Sequence, residues 1–230
     1  MTASSTRALA AVSASLVADH DIAGTLTALV RGCVDALGAA CGSVMVADST
    51  GRFELLASSS HEVDELALYE SQHHDGPSVR AWQTVTATTM SADGDGWPEL
   101  SEHMAAAGVT SMLATPLRWN GTAHGALTIF CGHRSAFSEE EQTVVQAFAD
   151  MAMLVIVHTD RITVRSAAER VEEALSSRVL IEQAKGVLAQ EQNVSMAAAF
   201  EQLRQIAADE GTMLTEAART VVRSAGIRLA

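Results

Sequence analysis

The spacing of apolar positions changes along the chain. Leu9, Val12, Leu16 and Val17 recur at helical intervals, and Ile22, Leu26, Leu29, Val30, Cys33, Val34 and Leu37 repeat the pattern as far as Gly38, which predicts two opening amphipathic helices. Cys41–Ala47 and Phe53–Ser58 then read as strands, with Asp48-Ser49-Thr50-Gly51 as the turn between them. A helical segment from Glu62 to Gln72 ends at Gly76-Pro77, Gln83 to Thr89 is β-rich, and Asp93-Gly94-Asp95-Gly96 reads as a loop. Glu99 to Ala107 is a short helix closed by Gly108. Ser111–Leu117 and Ala123–Phe130 form a second hairpin around Asn120-Gly121, a strong tight-turn signal. A long helix starts at Ser138, with Glu141 three residues on as a capping box, and runs through Val144, Val145, Phe148, Ala149, Met151 and Ala152. Strands in the middle with helices at both ends predict an α+β unit, an antiparallel sheet covered on one face by helices.

The remainder reads as all-helical. Leu154, Val157, Val164, Ala168, Val171 and Leu175 follow steps of three and four, interrupted by Arg161, and predict a coiled-coil linker over 159–176. Such a helix would couple two domains mechanically and make a parallel homodimer; the alternative is a single helix packed on its own domain. A further helix covers Arg178 to Leu188. Asn193-Val194-Ser195 breaks the chain, with Ser195 as N-cap of a helix whose inner face is Met196, Ala199, Phe200, Leu203, Ile206 and Ala207, ending near Gly211. A third begins after Thr212 and buries Leu214, Ala217, Ala218, Val221 and Val222. Three helices of this size make a compact binding module rather than a catalytic cavity.

Composition narrows the function classes. At 230 residues, 48% hydrophobic and 19% charged, the chain can pack a core and is not globally disordered. Its apolar runs are far short of the roughly 20 residues of a membrane span, so a soluble, cytoplasmic protein with no membrane partner is expected. The formal charge of −13 is uneven: residues 161–230 hold nine basic and nine acidic groups, and residues 1–160 hold six against nineteen. A neutral C-terminal unit can present a local basic face to phosphate while the rest repels polyanions. Lys185 is the only lysine, which marks either a position that needs an ammonium or chance.

Candidate chemistry is sparse. Cys33, Cys41 and Cys131 share no CxxC spacing and read as buried reduced thiols, with a redox role as the alternative. His73-His74 beside Asp75 does not chelate by itself, because adjacent side chains diverge, so no metal is expected. GxSxG, GxxxxGK[ST], HExxH and GxGxxG motifs are all absent, which argues against an enzyme.

Two resemblances organise these readings. Gly76-Pro77, Trp97-Pro98, Gly108-Val109-x-Ser111, Thr115-Pro116-Leu117, Gly125-Ala126-Leu127 and Phe137-Ser138, in that order, resemble a GAF domain over residues 7–158. The resemblance implies a sensor, with an unknown small-molecule ligand possible between the sheet and its covering segments and no cofactor evident. The Asn-Lys-Phe-Asp-Glu motif of cyclic-nucleotide GAF domains is absent, since this region has no lysine, and no cysteine sits in a chromophore-attachment context. The candidate ligand pocket is His73, His74, Asp75 and Trp97, with Trp97 alternatively a plug beside Pro98. Ile181-Glu182-Gln183-Ala184-Lys185-Gly186-Val187-Leu188, Ser195, Ala199-Phe200-x-x-Leu203-Arg204 and Leu214-x-x-Ala217-Ala218-x-x-Val221-Val222 resemble the ANTAR domain. That likeness places an output unit at 177–226 and implies binding to paired stem-loops of leader RNA, with transcription antitermination as the result.

In this reading the RNA-contacting residues are Lys185, Gln183, Arg178 and Arg204. Ala184 and Gly186 are expected to clear the surface beside Lys185, although packing also explains Gly186. Arg178 lies about two turns away on a neighbouring face. Phe200 is expected in the core, and Arg204 either contacts RNA or pairs with Glu201. The rival reading is a dimeric protein-interaction adaptor with a degenerate sensor and no RNA binding. A GAF-fold enzyme such as a sulfoxide reductase would require a reactive cysteine.

Overall fold

A computed structural model describes residues 22–60, 62–94, 96–133, 136–157 and 164–226, with only the backbone described at 62, 63 and 164–174. The helix expected around Leu9–Val17 lies outside these residues. The elements follow in the order α1 (Ile22–Leu37), β1 (Cys41–Ala47), β2 (Phe53–Ser58), α2 (Glu62–His73), α3 (Pro77–Thr84), β3 (Thr88–Ser91), α4 (Pro98–Ala106), β4 (Ser111–Trp119), β5 (Thr122–Cys131), α5 (Glu139–Val157), α6 (Val164–Gln192), α7 (Met196–Glu210) and α8 (Leu214–Ser224).

The five strands pair antiparallel in the order β2-β1-β5-β4-β3. Both predicted hairpins close as expected. Asp48 Oδ1 accepts from Thr50 and Arg52 N–H groups, and Asn120 and Gly121 take φ of +49° and +81°, the left-handed pair a two-residue turn demands. Gly125 lets β1 and β5 come together, because a Cβ there would strike the Met45 carbonyl.

Helices cover both faces of the sheet, not one. Side chains alternate along each strand. Val44, Val46, Leu56, Leu113, Leu127 and Ile129 meet α1 and α5 on one side, while Met45, Phe53, Met112, Ala114 and Phe130 meet α2, α3 and α4 on the other. The segment expected to be β-rich from Gln83 begins instead as the end of α3. Pro77 sits in that helix's first turn, where its missing N–H costs nothing, and the strand starts only at Thr88. The capping box forms as expected: Glu141 N donates to Ser138 Oγ, and Glu141 Oε2 accepts from Ser138 N at 2.8 Å.

Between α2 and α3 lies a buried acid. Glu70 accepts from Ser78 N at 2.7 Å and from the Ser78 hydroxyl, whose oxygen also meets Thr128 Oγ1 at 2.8 Å. Full burial pushes its carboxyl up to about 7, against the lowering effect of the two Ser78 hydrogen bonds. Gly76 is shaped around this group, since a Cβ there would overlap the Glu70 carboxylate.

The helical unit follows the apolar spacing, except that Met196, expected on the inner face of α7, is not in the bundle core and lines a cleft toward the sheet domain. Leu180, Ile181, Ala184, Val187 and Leu188 of α6 close on Ala199, Phe200, Leu203 and Ala207 of α7 and on Leu214, Ala217, Ala218, Val221 and Val222 of α8. Ser195 caps α7 by accepting from Ala198 N, and Gly211 ends it at φ +62°. Ala23 of α1 joins the same cluster, so the bundle rests on the first helix of the sheet domain.

Candidate nucleic-acid interface

The proposed linker is not a separate element. A single helix, α6, runs from Val164 to Gln192 and passes through the expected boundary at 177. Of the six seam residues, Val157 is buried in the sheet domain's core and Leu175 packs against that core, while Leu154 is 43% exposed on α5. The side chains of Val164, Ala168 and Val171 lie outside the described residues. Val157 and Leu175 thus serve the chain's own packing.

Arg178 and Lys185 are seven residues apart on α6, two turns, and share one face rather than neighbouring ones. That face turns toward the sheet domain. With Arg31 of α1, both side chains line a cleft of about 70 Å³ between α1, the end of β2 and the helical bundle. The Lys185 side chain is only 12% exposed; its ammonium donates to both oxygens of Glu182, at 2.8 and 2.9 Å. It lies 5.6 Å from the Phe200 ring centroid, and the Arg31 guanidinium lies 5.3 Å from the same centroid, both within cation–π range. Phe200 is buried as expected.

Arg178 is 16% exposed, and its nearest carboxylate is Asp64 at 3.9 Å, too far for a hydrogen bond. Burial pushes this guanidinium down from its ordinary value, against the opposing pull of Asp64 and Glu182. Arg204 is exposed and pairs with Glu201 at 3.0 Å, as one of its two readings anticipated. Glu201 also accepts from Arg31 at 2.7 Å, bridging α7 to α1, and the two arginines hold its carboxyl below the ordinary value. Gln183 faces solvent on another side of α6. Ala184 is fully buried in the bundle and clears nothing beside Lys185, whereas Gly186 has open space where a Cβ would stand and so packs against nothing.

The expected ligand residues of the sheet domain lie together at its surface. Trp97 Nε1 donates to Asp75 Oδ1 at 2.9 Å, Arg80 lies 6.0 Å from the Trp97 ring centroid, and His73 stacks on Tyr69. His73, His74 and Asp75 are exposed, and none of the four lines the cleft. The three cysteines are buried thiols outside any disulfide; burial, then Cys131, pushes the Cys33 thiol far up. Among the described residues no three histidine, cysteine or carboxylate side chains gather as a metal site, and no helix is long and apolar enough to cross a membrane.

The cleft residues Arg31, Ser58–Ser60 and Asp64 carried no signal in the sequence. They become neighbours of α6 only through tertiary packing, and no period links positions more than a hundred residues apart.

Comparison with known proteins assigns both halves. The GAF domain family matches residues 19–157, and the ANTAR domain matches residues 169–222. The chain is similar in fold to the GAF domain from Acinetobacter phosphoenolpyruvate-protein phosphotransferase, at 18% identity and a TM-score of 0.51, covering 69% of this chain and 95% of that one. It is similar too to the phycoerythrobilin-bound GAF domain from a cyanobacterial phytochrome, at 15% identity and a TM-score of 0.53, covering 75% and 99%. Neither identity carries more than the fold. No curated protein matches the chain.

Proposed function

The chain belongs to the GAF domain family, and from that premise we propose that the ANTAR domain behind its sensor makes it a signal-responsive RNA-binding regulator acting by transcription antitermination. An ANTAR domain is an RNA-binding antitermination domain and a GAF domain is a sensor; both are regulatory rather than catalytic. The observation that carries the reading is continuity. One helix, α6, packs Leu175 on the sensor's core and contributes Lys185 to the output bundle, so a change at the sensor's core is carried to the RNA-binding unit along a single helix.

Lys185, Gln183, Arg178 and Arg204 are the RNA contacts of this reading, directed at paired stem-loops of a leader transcript. Lys185 and Arg178 face the sensor, and Lys185 is held by Glu182. The conformation described is therefore the closed form, and RNA binding requires the bundle to move off α1. A homodimer would bring two bundles to two stem-loops with the avidity of linked sites, and exposed Leu154 on α5 offers apolar surface to a second copy.

The test is binding to a leader RNA with two stem-loops across a salt series, comparing wild type with Lys185→Ala. Loss of one phosphate contact should weaken binding and lower the salt slope by roughly 0.7–0.9. An unchanged slope would remove Lys185 from the interface. The adaptor reading draws on the acid partners of Lys185 and Arg204; a salt-insensitive complex with a protein, and no RNA binding by either variant, would establish it.

A further inference from the structure

Arg178 is in an unusual position for a cation. Its side chain is largely withdrawn from water, Asp64 is 3.9 Å away, and the guanidinium makes no hydrogen bond among the described residues. A guanidinium carries five N–H donors, and a buried charge is normally paired and hydrogen-bonded. The other two cations of the cleft are satisfied: Lys185 by Glu182, and Arg31 by Glu201. Across the cleft the Ser60 Oγ is buried and has no hydrogen-bond partner among the described residues. Two unfilled polar groups, one a full positive charge, thus face the same space from the output helix and from the sensor.

The space has the make-up of a small-molecule site. At about 70 Å³ it has room for a small anion rather than a drug-sized ligand, its lining includes Ile181, Met196 and Leu56 as apolar wall, and three cations stand against two lining carboxylates, Asp64 and Glu182. A planar guanidinium fork suits a two-oxygen anion, which can accept two parallel hydrogen bonds. We infer that the cleft between the sensor and the output bundle is an effector site for a small anion bearing a carboxylate or phosphate, bound by Arg178 with Ser60 and with Lys185 and Arg31 at its rim. The site differs from the expected ligand residues around Trp97, and it lies where its occupant touches both domains at once.

Its regulatory meaning rests on the antitermination reading; its chemistry does not. An anion seated on Arg178 and Ser60 bridges α6 to the end of β2, holds the bundle on the sensor, and withholds Lys185 and Arg178 from RNA. The occupant would act as a repressor of RNA binding.

Titration calorimetry on the full chain, with no RNA present and ionic strength held constant, tests the site. The probes are inorganic phosphate and benzoate, with chloride and the neutral benzamide as controls. Saturable binding of one of the two oxyanions, weakened at least about tenfold by Arg178→Met and within about twofold of wild type in Arg219→Met, is the expected result; phosphate against benzoate tells which head group is preferred. Arg219 is exposed, paired with Glu216 and outside the cleft. Ser60→Ala, which alters no charge, should weaken binding about threefold or more and guards against an Arg178→Met chain that fails to fold. No saturable binding by either oxyanion, or equal binding in the Ser60 and Arg178 variants, overturns the site. Anion binding in a protein that never binds leader RNA would support the site and sink the regulator reading, while RNA binding without anion binding does the reverse.

Discussion

Glu70→Gln separates the charge of the sensor's buried acid from its shape. Glutamine can still accept from Ser78 N through its carbonyl oxygen, and its amide can donate to the Ser78 oxygen, which then donates to Thr128. The variant keeps the network and loses only the ionisation. In the folded protein Glu70 ionises at about 7 instead of the ordinary 4.5. Between these values the folded state holds a proton that the unfolded chain has released, so stability is fully present below about pH 4.5 and is lost as the pH rises to 7. At about 1.4 kcal/mol per pH unit, the wild type gives up about 3 kcal/mol. Urea unfolding at pH 5 and pH 8 should show the two proteins close to one another at pH 5, and Glu70→Gln more stable by about 2–3 kcal/mol at pH 8. The overall charge of the chain acts equally on both and cancels in the difference. A difference that does not change with pH would refute the argument, because the carboxylate would then be stabilised by something other than the two Ser78 groups that meet it.

Other outcomes follow from the same geometry. Ser138→Ala removes the hydroxyl that accepts from Glu141 N, while the backbone N–H of residue 138 still meets Glu141, and should cost about 1 kcal/mol in urea unfolding, a loss Ser138→Thr should largely spare. Gly125→Ala drives a Cβ into the Met45 carbonyl and should destabilise the sheet by about 3 kcal/mol or more; wild-type stability would show that β1 and β5 can separate freely. The three thiols should stay unreactive toward a thiol reagent in the native protein and react together in urea, since all are buried. Rapid labelling of one native thiol would revive a redox role.

The elements that the sequence made legible are those whose signals are local. Asn120-Gly121, Ser138 with Glu141, Ser195 and the inner face of α8 are each specified by residues within a few positions of one another, and each is found where expected. α3 is not legible in the sequence because Gly76-Pro77 reads as a stop, whereas proline in a first turn is also a start. Coverage of the sheet's second face escaped for a related reason. Strands buried on both sides show continuous apolar runs, such as Val44-Met45-Val46, and lose the alternation that reveals a single covered face. Within the binding face, Lys185, Arg178 and Phe200 could be picked out by residue type and helical spacing, but their orientation could not. That depends on Ala23, Arg31 and Asp64, which reach α6 only when the two domains fold together.

Lys185 is also the only lysine in the chain, and its ammonium is gripped by Glu182 inside the cleft. An amine-directed reagent therefore finds one side chain to modify, besides the terminal amine. An amine sequestered in this way reacts slowly, so the rate at which Lys185 takes up label is set by how often the bundle lifts from α1. The protein carries its own chemical clock for that opening, readable by mass spectrometry without a substitution or an added dye.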